Sequence, residues 1–287
     1  MKRRLAAGLT SILLLTALVG AIGEPQELAP VEAGALCEQL PPTDLRRICE
    51  SGKLTVARYG GERPPFFFQT SQGWRGFDID LARDVARRLG VEYQSHLADS
   101  FDEVVELVTS RRADIGISKL SVTLDRSRSV RFSKPYMTVY QTLLINRLAA
   151  PKQQDPFSFL NRAAVRIGAL GGSSYIGYAE TEFAAAEVAA YTDFEGMMTD
   201  VTESRLDAAF VDSARANTWR RNNPERLIQV RAFVARDLKD LLAIAVNWED
   251  THLLSWLDLY LDSIRDDGSA EQLYRRWFVE ALPEASP

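Results

Sequence analysis

Twice along the chain the same grammar appears: a short apolar strand-like run, then an amphipathic helix, then a second strand, a second helix and a third strand. The first round comprises Lys53–Arg58, Phe77 to Gly90, Val91–Leu97, Phe101–Arg111 and Ala113–Ser118. The second comprises Val165–Ala169, Tyr175–Phe183, Val188–Tyr191, Phe194–Ser204 and Leu206–Asp212. In the helix from Phe77, residues Leu81, Ala82, Val85, Ala86 and Leu89 share a face. Asp78 is placed to cap its start, and Gly90 stands where a terminating glycine belongs. Phe101, Val104, Val105 and Val108 form the inward face of the next helix. Such alternation predicts parallel sheets with helices on their faces. The polar, proline-bounded segment Ala149–Pro156 separates the rounds, so two α/β lobes are expected. A further apolar strand at Leu241–Asn247 and amphipathic helices at Thr251–Asp266 and Ser269–Phe278 complete the chain.

A length of 287 residues suits two domains, and 46% hydrophobic residues suffice for two cores. The net charge of −5 argues against a nucleic-acid or anionic-membrane surface. Only His96, His252, Cys37 and Cys49 could serve as soft metal ligands, and their spacing does not form a zinc cage. No metal is expected.

The N-terminus predicts export. Lys2, Arg3 and Arg4 precede an apolar run over residues 5–22, and Gly20, Ala21 and Gly23 lead to Glu24-Pro25. Residues 1–23 are therefore expected to be a secretory signal peptide, with an uncleaved membrane anchor as the alternative. Residues 24–43 read as an N-terminal extension. Export makes a Cys37–Cys49 disulfide reasonable, closing a loop worth roughly 3 kcal/mol by chain entropy; two buried free thiols are the other reading.

In open α/β sheets, ligands bind beyond the carboxyl ends of parallel strands. The residues there are Lys119, Ser121, Thr123 and Arg126, then Gly171, Gly172 and Ser173, then Asp212. The set offers cations, an acid, hydroxyls and a glycine-rich helix start able to face an anion. Each member has a plainer reading. Arg126 among Arg128 and Arg131 could be solvated, Asp212 could simply cap a helix, and the glycines could make a tight turn. Asp78 and Asp80 sit at a helix start, where capping and the dipole explain them. No Walker loop, Gly-x-Gly-x-x-Gly, Gly-x-Ser-x-Gly or His-Glu-x-x-His occurs, so no cofactor is expected and nothing demands an enzyme.

Five segments, taken together, are similar to the periplasmic solute-binding proteins of amino-acid ABC transporters, family 3. They are Pro64-Pro65-Phe66, Gly76-Phe77-Asp78-Ile79-Asp80-Leu81-Ala82, Ala113 through Thr123 with Arg126, Leu206 through Asp212, and Gly268 through Phe278. The resemblance spans about residues 44–279. It implies a two-lobed α/β fold of the periplasmic-binding-protein, type II (Venus-flytrap) kind with two hinge strands. Lobe one would be 44–142 plus 243–279 and lobe two 146–240, with a tail at 280–287. The crossings would fall near Leu143–Asn146 and Leu241–Ala245. Arg126 occupies the position that grips a ligand α-carboxylate, assisted by Ser121, Ser118 and Lys119, with Gly172 and Ser173 from lobe two. Asp212 occupies the position that receives the α-ammonium, and Phe101 that of a stacking aromatic.

The resemblance further implies a monomer that delivers an amino acid to an ABC permease. Its rivals are an exported dehydratase of the cyclohexadienyl or arogenate type and a ligand-sensing module. Three departures bear on the ligand. Lys119 stands where relatives usually have Gly or Ser, Arg63 stands where several put an aromatic lid before Pro64-Pro65-Phe66, and no Asp of the kind that meets cationic ligands stands near Gly60. Arg58, Arg63 and Lys119 therefore tilt the expectation towards an acidic or polar uncharged ligand, with Arg63 and Phe66 in the ligand set.

Overall fold

A computed structural model describes residues 37, 39–41, 43–150 and 155–280. The expected signal segment 1–23, most of the 24–43 extension and all but the first residue of the 280–287 tail lie outside the described residues. Helix α1 (Asp44–Ser51) ends at Gly52, whose φ of 68° suits glycine, and leads into β1 (Lys53–Tyr59). A Cys37–Cys49 disulfide ties the segment before α1 to that helix, with Cα atoms 5.5 Å apart.

The first sheet is built around β1, which buries Leu54, Val56 and Ala57. It pairs in parallel with β4 (Glu92–Ala98) on one side and β5 (Ile115–Gly116) on the other. Two antiparallel strands, β12 (Ala245–Asn247) and β6 (Val130–Phe132), extend it in the order β4-β1-β5-β12-β6. A hairpin of β2 (Phe68–Thr70) and β3 (Gly73–Arg75) precedes α2 (Phe77–Leu89). Helix α2 buries Phe77, Ile79, Leu81, Ala82, Val85 and Ala86 and ends at Gly90, φ 72°. Helix α3 (Phe101–Thr109) is capped by the Ser100 side chain, which accepts from Glu103 N–H. Late in the chain, α8 (Thr251–Asp266) and α9 (Ser269–Tyr274) return to this lobe, where Leu253, Leu257 and Leu261 share a core with Leu81 and Val85. The expected single helix over 269–278 instead gives way at Arg275–Glu280 to a wider π-helical turn, which buries Trp277.

The second sheet takes the order β11-β7-β10-β8-β9. Strands β8 (Arg166–Leu170), β9 (Glu187–Tyr191) and β10 (Ala208–Asp212) run parallel, whereas β7 (Met137–Asn146) and β11 (Val230–Leu242) are antiparallel. The helices are α4 (Pro156–Leu160), α5 (Ser174–Glu182), α6 (Phe194–Thr202) and α7 (Ser213–Asn222). Phe183, Phe210 and Ile167 form the core on one face, and Met197, Val201 and Trp219 form it on the other.

Three expectations change. The sheets are mixed rather than parallel, since β7 pairs antiparallel with both β10 and β11, and β11 hides its strand character behind Arg231, Arg236, Asp237, Lys239 and Asp240. The Leu241–Asn247 run is two strands, since the chain leaves one sheet after Leu242 and joins the other at Ala245. The crossings also shift. Leu143, Leu144 and Ile145 are paired on both sides within the second sheet, with β10 and with β11. Met137–Tyr140 and Lys239–Leu242 instead run side by side between the sheets. The register of this pair breaks between Val234 and Lys239.

Candidate functional site

The carboxyl ends of β1, β4 and β5 face those of β8 and β10, so loops from both sheets converge on one pocket. It is lined by Arg63, Pro64, Phe66, Phe101, Lys119, Ser121, Arg126, Leu170, Ser173, Ser174, Tyr175, Phe210, Val211, Asp212 and Arg215. Eight sequence candidates meet there: Arg63, Phe66, Phe101, Lys119, Ser121, Arg126, Ser173 and Asp212.

Two do not. Ser118 is fully buried behind the wall, where its Oγ accepts from Tyr59 N–H at 2.9 Å and fixes the end of β1. Gly172 lies exposed in its turn at φ 69°, a conformation that suits glycine, and does not line the pocket. Arg58 brings no charge to the pocket either. It is buried with its guanidinium 3.7 Å from the Trp74 ring centre and its Nη1 donating to Tyr59 O.

Asp78 is not the helix cap expected. Gly76 occupies the N-cap position, and Asp78 turns inward so that its Oδ2 accepts from Lys119 N–H at 2.5 Å. That bond holds Lys119 in a left-handed conformation, φ 48°. Burial pushes the Asp78 carboxyl up to about 7, against the opposing pull of the Lys119 N–H. The unfolded chain releases this proton near pH 4 and the folded chain near 7, so stability should fall as pH rises through that window. Asp78→Asn retains an acceptor for Lys119 N–H and is expected to flatten that part of the curve. Urea unfolding at pH 4.5 and 7.5 checks this, and an unchanged slope in the variant would contradict it. Asp240, raised by burial to about 6, retains its own smaller share of the slope.

An ion pair joins the two lobes. Lys119 Nζ lies 2.7 Å from Asp212 Oδ2, with both side chains largely buried. The other oxygen of Asp212 accepts from Arg215 N–H at 2.9 Å and caps α7, so the acid is both cap and pocket wall. Burial would raise its carboxyl, but the charge and hydrogen bond of Lys119 outweigh it and hold the group below the usual range. A second bridge between the lobes joins Ser121 Oγ and Ser174 Oγ at 2.9 Å. Ser121 Oγ also donates to Asp240 Oδ2 at 3.0 Å.

Arg126 begins a 3₁₀ turn (Arg126–Arg128), and its Nη1 donates to Ser121 O at 3.1 Å. Among the described residues no acid lies within ion-pair distance of Arg126, Arg63 or Arg215. Arg63 sits over the Tyr59 ring at 4.7 Å, and Tyr59 stacks on Phe101. Burial and the nearby charge of Arg63 bring the Arg215 guanidinium down to about 10. Sequence patterning does not single out Arg215, Ser174 or Tyr175. Arg215 was within its reach, since it lies one helical turn beyond Asp212 at the mouth of the same strand.

Two lobes, two connecting strands and a charged pocket where their strand ends meet define a receptor that encloses a small solute between its halves. The chain belongs to the bacterial extracellular solute-binding proteins, family 3, whose family model matches residues 56–280. It is 26% identical over 208 residues to ABC transporter arginine-binding protein 1 of Escherichia coli (strain K12), covering 71% of this chain and 82% of that protein. Among solved structures, the ancestral amino-acid-binding protein AncCDT-1, a precursor of cyclohexadienyl dehydratase, superimposes with a TM-score of 0.71. That match is 28% identical and covers 82% of this chain and 99% of the other. A putative ABC-transporter binding component from Wolinella succinogenes, complexed with lysine, gives 0.73 at 25% identity, over 79% and 96% of the two chains. No helix among the described residues is long and apolar enough to cross a membrane.

Proposed function

We propose that the chain is a periplasmic, non-enzymatic receptor that takes an acidic or polar amino acid, or a related small carboxylate, between its lobes and delivers it to an ABC permease. The observation that carries the reading is Arg126. Its guanidinium lines the pocket beside Ser121 and Phe101 with no acid at ion-pair distance among the described residues, and a planar guanidinium suits a carboxylate bidentately. The cationic ligands named for several relatives are not carried over, because four cations and one acid line this pocket.

With the lobes together, the free space is about 40 Å³, room for a few waters. A solute of several carbons therefore enters with the lobes apart, and binding selects closure by its greater affinity for the closed form. Asp240 lies behind Ser121 rather than on the pocket wall, so it presents no proton donor to a solute and the dehydratase reading gains no support from it.

A thermal-shift screen of ligand-stripped protein tests the proposal. A true ligand at 100 times its Kd should stabilise by about 2.7 kcal/mol. Absence of any shift across amino acids and small organic acids would defeat the receptor reading.

A further inference from the structure

We propose that the preferred ligand is a small acid with two anionic groups and no amine, because Lys119 already stands on Asp212 where a ligand ammonium would go. The inference rests on the receptor reading above and narrows its ligand class.

Both oxygens of Asp212 are engaged, one by Lys119 Nζ at 2.7 Å and the other by Arg215 N–H at 2.9 Å. The Lys119 ammonium also lies 5.5 Å from the Phe66 ring centre and 5.7 Å from that of Tyr175, so an acid and two aromatic faces surround it. Its backbone is pinned by the bond to Asp78. A ligand ammonium could reach Asp212 only by expelling this cation towards Arg63, Arg126 and Arg215. That leaves a largely buried charge without its partner among like charges, an arrangement that folded proteins tolerate poorly.

An amine-free diacid asks for no such exchange. Among the described residues, the three guanidinium groups to which it brings two negative charges have no acid at ion-pair distance, and one of them, Arg215, has a buried Nε without a hydrogen-bond partner. The Lys119–Asp212 pair meanwhile keeps the lobes bridged on its own.

The experiment is calorimetric titration of the purified full chain with succinate, 2-oxoglutarate, aspartate and glutamate, and of Lys119→Gly with the same four. Glycine suits φ 48°, so this variant relieves backbone strain while freeing Asp212. Lys119→Gln, which removes the charge and keeps a long side chain, is the second variant should the first fold poorly. The wild-type chain should bind each amine-free acid at least tenfold more tightly than the amino acid of the same carbon skeleton, and loss of the lysine should reverse that order. Tighter wild-type binding of aspartate or glutamate would overturn the inference and leave the receptor reading standing. So would an unchanged preference in both variants. Binding of arginine or lysine, with none of the four taken up, would remove the anion-receptor reading and this inference together.

Discussion

Arg126→Ala is expected to abolish ligand capture while leaving the unliganded chain folded. Among the described residues the side chain makes one hydrogen bond, to Ser121 O, and its backbone belongs to a short 3₁₀ turn, so its loss opens no core. In the closed, ligand-bound form, the same truncation strands a carboxylate in a pocket with little water. The cost should be about 3–5 kcal/mol, or roughly 10²- to 10⁴-fold in Kd. Titration of the variant against the best wild-type ligand, with circular dichroism to confirm the fold, reads the result. Affinity within a few-fold of wild type would show that Arg126 does not hold the ligand.

The second large effect lies away from the pocket. Gly76→Ala should destabilise the first lobe by on the order of 3–5 kcal/mol and lower Tm by about 8–16 °C. The residue sits at φ 133°, and a Cβ there would fall 2.2 Å from Phe66 O. Backbone cannot yield as a flexible side chain does. The close approach lets Phe77 N–H reach Pro65 O at 3.0 Å and Asp78 N–H reach Phe66 O at 2.9 Å. Those two bonds lash the Arg63–Phe67 loop to the start of α2, and that loop carries Arg63 and Phe66 into the pocket. Thermal unfolding measures the effect, and a Tm unchanged within 2 °C would show that the loop can retreat at little cost.

The repeated strand–helix grammar makes the two lobes legible from the residues alone, because apolar spacing reports which face of an element is buried. Asp212 and Arg126 are legible for a second reason, since each stands at or just past the carboxyl end of an apolar strand. The long connecting strands are not legible. A strand such as β11, only partly buried and rich in charge, has no periodic apolar signature, and its pairing with β7 is a tertiary event. Asp78 misleads for a related reason: an acid in the first turn of a helix is ordinarily a cap, and only the fold shows that Gly76 takes the cap and turns the carboxylate inward. The pairing of Lys119 with Asp212 needs two segments 93 positions apart in the numbering to be brought face to face, which local pattern cannot report.

The linkers Met137–Tyr140 and Lys239–Leu242 are hydrogen-bonded to one another rather than independent tethers. Sliding one strand along the other would break the hydrogen bonds between them, whereas bending the ribbon across its flat side keeps them. The halves of the molecule are thereby confined to something near a single swinging coordinate, like a door on a strip of spring steel. Each time the door shuts, the side chains on its two edges return to the same opposite numbers.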